Sequence, residues 1–160
     1  MGALVAQWPA MEFKIMIPKH LIPTFESVGS ALNFPPEILA GIAWRESCFG
    51  ATLDHNGYGD HGNGYGIMQV DRRSHMLVGK PDSIEHVTQG AHILNDMRNA
   101  ISKKHPDWSK ADQLRGSIAA YNVGPDNIRT VDHMDSGTTE NNYSADVLNK
   151  ARMLKEYFVV

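Results

Sequence analysis

The chain has 160 residues, 42% of them apolar and 21% charged, enough to bury one core in one compact domain. Its formal charge of −3 argues against a nucleic-acid partner, a single cysteine (Cys48) excludes an internal disulfide framework, and neither CxxC nor HExxH is present to suggest a metal site. No segment approaches the length of a membrane span, and the opening MGALVAQWPAMEFK lacks the cationic start, apolar run and small-residue cleavage site of a signal peptide.

Residues 1–19 are expected to be an N-terminal extension to a single domain over 20–160. The spacing predicts a first helix over 20–32 (HLIPTFESVGSAL), and NFPP, Asn33 to Pro36, breaks the chain into the next, since proline is accepted in a first helical turn. Within PEILAGIAWRES, Ile38, Ile42 and Glu46 recur every four residues, which puts a carboxylate on an apolar face. Residues 50–80 have no such period and are expected to be loops with a short, irregular β element. Val87, Ala91, Leu94, Met97 and Ile101 repeat at helical spacing through 86–104. Further helices are predicted over 110–122 and 144–158, with Ser109 and Ser144 as N-caps and Gly124 as a stop. The fold class is therefore mainly α (α+β): a helical domain with a small irregular β and loop region at 50–80.

The stretch GYGDHGNGYGIMQVDRRSH, Gly57 to His75, has five glycines in its first ten residues and then an apolar run closed by Asp71. GYGDHG satisfies GxGxxG, but no strand precedes it and no helix N-terminus follows to hold a pyrophosphate. A calcium loop from Asp54 fails because Tyr65 stands where a bidentate glutamate should close the site. Taken alone, the stretch reads as a surface turn in which glycines supply positive φ and Asp60 and Asp71 cap turns.

Glu46 changes that balance. It lies near the C-terminal end of its helix, where the helix dipole disfavours a carboxylate, and on a face turned to apolar neighbours; both effects raise its pKa. Arg45 points elsewhere on the helix. The plainer alternative, a helix-end glutamate reaching water or a distant arginine, stays open at this point. A protonated carboxyl with ionised carboxylates nearby is nevertheless the arrangement that cleaves a glycosidic bond. Cys48 shows no Cys/His/Asn signature and is expected to be a buried or half-buried free thiol.

RES (Arg45 to Ser47), the glycine-rich stretch, ISKKHPDW (Ile101 to Trp108), SIAAYNVGPDNIRT (Ser117 to Thr130) and MDSGTTENNYSADV (Met134 to Val147) together resemble goose-type lysozyme, in the same order and at nearly the same spacing. The resemblance covers roughly residues 20 to 157. Three blocks, the ES pair, GIMQ and AYNxG, are also similar to soluble lytic transglycosylases. The resemblance implies a lysozyme-like helical fold acting without a cofactor on the β-1,4 bond between N-acetylmuramic acid and N-acetylglucosamine. It implies Glu46 as general acid, Asp60 and Asp71 as the residues that position water in an inverting reaction, and His75, Tyr121, Asn122 and Tyr143 as lining of the sugar cleft.

Tyr121 also lies on an apolar helical stripe and His75 can be a turn residue, so both readings stand; Met68 and Gln69 are expected to be supports. The implied partners are bacterial peptidoglycan and N-acetylglucosamine oligosaccharides, with no nucleic acid or membrane, the enzyme acting as a secreted monomer on the cell wall. Two alternatives are a lytic transglycosylase using the same Glu46 and forming 1,6-anhydromuramyl products, and a peptidoglycan-binding module without chemistry.

Overall fold

A computed structural model of the chain describes residues 17–158. Five α-helices follow in order: α1 (Ile22–Leu32), α2 (Pro36–Ser47), α3 (Ile84–Lys104), α4 (Lys110–Val123) and α5 (Tyr143–Leu154). Between α2 and α3 stands a small antiparallel sheet of β1 (Tyr58–Gly59), β2 (Gly64–Tyr65) and β3 (Val70–Asp71), in that order, pairing Tyr58 with Tyr65 and Gly64 with Asp71. The predicted helical domain with a short β element at 50–80 is what the structure shows.

The helices enclose one main core that includes Phe25, Leu39, Ile42, Leu94, Ile118 and Val147, all fully shielded or nearly so. Gly41 lets α2 and α5 come close: a Cβ there would lie 2.9 Å from the Val147 carbonyl oxygen. A smaller cluster of Ile101, Ala119, Ile128 and Met134, with Trp108 against it, anchors the segment after α4. The first sixteen residues of the expected extension lie outside the described residues; Ile17 is already buried in the core.

Several element ends differ from the spacing-based expectation. The first helix is split, a 3-10 turn at Lys19–Leu21 leading into α1. Ser83 starts α3 two residues earlier than expected, its hydroxyl accepting from the His86 N–H at 3.2 Å. Ser109 caps α4 as expected, accepting from the Asp112 N–H at 3.0 Å, and Gly124, at φ 83°, ends it.

Ser144 is not an N-cap. It is buried inside the first turn of α5, where its N–H and that of Ala145 donate to the Asp135 carboxylate at 2.8 and 3.0 Å. A carboxylate nine and ten residues before these two donors thus satisfies the helix's orphan N–H groups, and the Ser144 hydroxyl accepts from Arg115 Nε at 3.0 Å. Burial alone would raise the Asp135 pKa, but these backbone bonds prevail and hold it below the usual carboxylate range. The last helix also stops at Leu154, and a 3-10 turn, Lys155–Tyr157, replaces its expected end. Cys48 is exposed rather than buried, because the chain turns left-handed there (φ 50°) to leave α2.

Although rich in glycine, the sheet region is closely filled. A Cβ on Gly59 would lie 2.7 Å from Gln69 Oε1, one on Gly64 would be closer still to the same atom, and one on Gly66 would collide with the His86 ring. Beneath them Ile67, Met68 and Val70 are buried. Met68 is held at both ends of its backbone: its N–H donates to His86 Nε2 at 3.0 Å, and its carbonyl accepts from the Tyr121 hydroxyl at 2.6 Å. The apolar run is therefore a fixed base from which Asp71 emerges.

Candidate active site

A cleft of about 490 Å³ opens where the end of α2, the sheet, the end of α4 and the start of α5 meet. Three carboxylates line it: Glu46 from the last turn of α2, Asp60 from the turn between β1 and β2, and Asp71 from β3. Tyr121, Asn122 and Tyr143 line it too. His75 does not. It is exposed in the bend after β3, where its N–H donates to the Asp71 carbonyl at 3.0 Å.

The four-residue spacing that put Glu46 on the apolar face of α2 leaves it half-buried, with most of its carboxyl's surroundings protein rather than water. Burial is the main cause of its pKa rise from 4.5 to about 7; the Tyr143 hydrogen bond and the Arg45 charge pull the other way, and the Asp60 charge adds to the rise. Tyr143 donates its hydroxyl to Glu46 Oε1 at 2.6 Å across 97 positions of sequence. Both tyrosines are pushed well above the ordinary phenol range, first by burial and then by the charge of Glu46, so each stays an O–H donor.

Arg45 lines the cleft but forms its hydrogen bonds away from Glu46: to Asp146 at 2.7 Å, to Asn142 Oδ1 at 3.1 Å and to the Thr139 carbonyl at 3.0 Å. Its guanidinium also lies 5.2 Å from the centre of the Tyr143 ring. In this way the residue before the acid ties down the segment that carries the acid's partner.

The two aspartates differ sharply. Asp71 is clasped by Arg73, whose Nε and Nη2 donate to it at 3.0 and 2.8 Å and whose backbone N–H adds a third bond at 2.8 Å. These bonds, the side-chain ones foremost, hold its pKa down at about 2. Asp60 accepts no side-chain hydrogen bond from any described residue. It sits at φ 49°, followed by His61 at φ 53°, two consecutive non-glycine residues in the left-handed region. Such conformations are uncommon and gather at functional sites.

Asn122 is spent on a clasp within the protein. Its Oδ1 accepts from the Thr139 N–H at 2.9 Å and its Nδ2 donates to the Thr139 hydroxyl at 3.1 Å. Gln69 donates to the Gly66 carbonyl at 2.9 Å, consistent with a support, while still lining the cleft. The residues that sequence reasoning missed here are Asn63, Arg73 and Thr139. Arg73 stood two positions from Asp71 and could have been noticed as an ion-pair partner; nothing local marked Thr139. Among the described residues no group of three or more His, Cys, Asp or Glu is placed to hold a metal ion, and no helix is long and apolar enough to cross a membrane.

The family model described as Lysozyme g matches residues 17–157. Lysozyme g of Struthio camelus is 48% identical over 132 residues, covering 82% of this chain and 64% of that protein. Lysozyme g of Casuarius casuarius is 48% identical over 132 residues, 82% of this chain and 71% of the relative. For Lysozyme g of Gallus gallus the identity is 45% over 130 residues, 81% and 61% of the two chains. The chain therefore spans less than two thirds of the length of the first and third of these relatives.

Proposed function

The chain belongs to the lysozyme g family, and from that membership together with the cleft we propose that it is a muramidase, hydrolysing the β-1,4 bond between N-acetylmuramic acid and N-acetylglucosamine in bacterial peptidoglycan. The observation that carries the reading is the contrast within one cleft: a carboxyl raised to about 7 faces the same space as one lowered to about 2. Environments that push two carboxyls apart in this way divide the acid's work from the base's.

Glu46 is the general acid. Because Tyr143 donates to Oε1, that oxygen is the acceptor and the acid proton resides on Oε2, ready for the leaving glycosidic oxygen. Asp60 and Asp71 orient a water for attack on the opposite face of the sugar, the inverting geometry. Asp60, with no donor to its carboxylate among the described residues, is the more open of the two, while Asp71, tied to Arg73, gives a fixed negative charge beside the oxocarbenium-like centre. Tyr143 acts chiefly by holding the acid. Asn122 shapes the wall through Thr139 and retains one amide N–H for an N-acetyl group. All these groups come from one chain, so a monomer suffices, and no step needs a cofactor. The place of action is the bacterial cell wall.

Digestion of purified peptidoglycan followed by mass spectrometry tests the reading. Reducing sugar ends are expected. Termini of 1,6-anhydromuramic acid would mean that the muramyl 6-hydroxyl, not water, attacks; binding without any cleavage would make the cleft a recognition module.

A further inference from the structure

A second cavity, of about 630 Å³, is built from the end of α4 and the segment that follows it. Val123, Asn127, Arg129, Thr130, His133 and Gly137 line it, and no carboxylate does. Its lining follows that of the cleft along the chain at two points: Asn122 lines the cleft and Val123 the cavity, and Thr139, bonded to Asn122, lines the cleft two positions after Gly137 of the cavity. The same two stretches of chain, the end of α4 and the segment before α5, thus contribute to both spaces.

Charge distinguishes the second space. Arg45, Arg73 and Arg115 each have an acid of their own, in Asp146, Asp71 and Asp135. Arg129 is exposed at the cavity and has no hydrogen bond or ion pair to a described residue; the His133 ring is likewise without a partner. Asp126 and Asp132 lie on the same segment but outside the lining. A guanidinium without a partner among the described residues, set in a hollow whose lining residues follow those of the cleft along the chain, suits an anionic group brought by the ligand, and its planar fork matches a carboxylate.

We propose that this cavity seats a carboxylate carried by the substituents of the glycan strand, held by Arg129 with His133 beside it, while the sugar backbone lies in the cleft. The inference rests on the muramidase reading for its ligand. Muramic acid bears a lactyl ether ending in a carboxyl group, either free or extended by a peptide with carboxylates of its own. Both sources offer the same chemistry.

The test measures binding, separately from cutting, by calorimetry in a Glu46→Gln background with and without Arg129→Gln. The three soluble probes are a neutral N-acetylglucosamine oligomer, a peptide-free alternating glycan with free lactyl carboxylates, and the same glycan bearing peptides. Arg129→Gln is expected to weaken at least one anionic probe about tenfold, less so at high salt, and to leave the neutral oligomer unchanged. Which anionic probe loses affinity identifies the source of the carboxylate. Equal loss on the neutral oligomer, or no loss on either anionic glycan, overturns the proposal. Cleavage by the protein with Glu46 intact is scored apart: Arg129-dependent binding without cleavage refutes the muramidase and leaves the carboxylate seat standing.

Discussion

Replacing Glu46 by glutamine should make the protein inactive and, above neutral pH, more stable. The carboxyl's pKa rises from 4.5 to about 7, chiefly because burial penalises its charged form. An acid whose folded pKa is raised costs the fold nothing below its unfolded value. The cost grows as pH climbs through the window from 4.5 to about 7 and is complete above it. At ~1.4 kcal/mol per pH unit, that window corresponds to roughly 3 kcal/mol. Glutamine carries no charge and keeps an oxygen to accept from Tyr143, so it escapes the cost without opening a cavity. The variant should therefore melt with the parent at pH 4 and above it at pH 8, by about 6–12 °C for a domain of this size. Turnover on peptidoglycan should fall at least ~10²-fold, the usual contribution of a general acid. Calorimetric melting of both proteins at several pH values is the assay. A gap of the same size at pH 4 and pH 8 would refute the claim that a buried, protonated carboxyl is the cause, whatever happened to activity.

Tyr143→Phe removes a bond that favours the ionised form of Glu46, so the alkaline limb of the pH–rate profile should move upward from about 7; a stationary or lowered limb would contradict it. Asp71→Asn is expected to lower kcat by roughly 10²-fold, Asp60→Asn by less, and the double variant by more than the product of the two, since either carboxylate partly covers for the other. Simple multiplicativity in that cycle would show that they do not share one water. His86 provides an opposing pH effect: burial lowers its pKa from 6.5 to about 4, so its neutral form stabilises the fold above 6.5 and that stability is lost as pH falls towards 4. His86→Gln, which keeps an acceptor for the Met68 N–H, should flatten the acid side of the stability curve over that window; an unchanged slope would place the acid sensitivity elsewhere.

Much of the site could be read from local pattern. Glu46 was visible because Ile38, Ile42 and Glu46 share a helical face, and burial of that face is what perturbs the acid. Ser109 was visible because its cap acts three residues away. The misreadings come from long-range satisfaction. Ser144 reads as a cap, yet the donors it should serve are taken by Asp135, and no spacing rule reports a carboxylate arriving from a separate loop. Cys48 was expected to be shielded because free thiols usually are, but the left-handed exit from α2 turns it outward. Tyr121 was left between core and cleft, and the structure places it in both: its ring packs on the core while it lines the cavity. The link between Tyr143 and Glu46 spans 97 positions and depends on how α5 packs against α2. That is a property of tertiary packing, which periodicity does not contain.

The glycine-rich hairpin has a consequence for anyone who would diversify or transplant it. A stretch with so many glycines invites treatment as a tether that tolerates exchange, yet at Gly59, Gly64 and Gly66 the hydrogen is there because the Gln69 amide or the His86 ring already fills the space. Only at Gly62, where φ is 87° and a Cβ would meet nothing within 4 Å, is the residue required by backbone conformation alone. A variant library here should therefore split by position: at Gly62, asparagine or aspartate, the residues that best tolerate left-handed backbone, should survive. At Gly59 and Gly64 alanine should be accepted only if the end of the Gln69 side chain swings aside and gives up its bond to the Gly66 carbonyl, so shortening Gln69 in the same variant should relieve the cost. Gln69, itself on the cleft lining, thus decides what its neighbouring glycines can become.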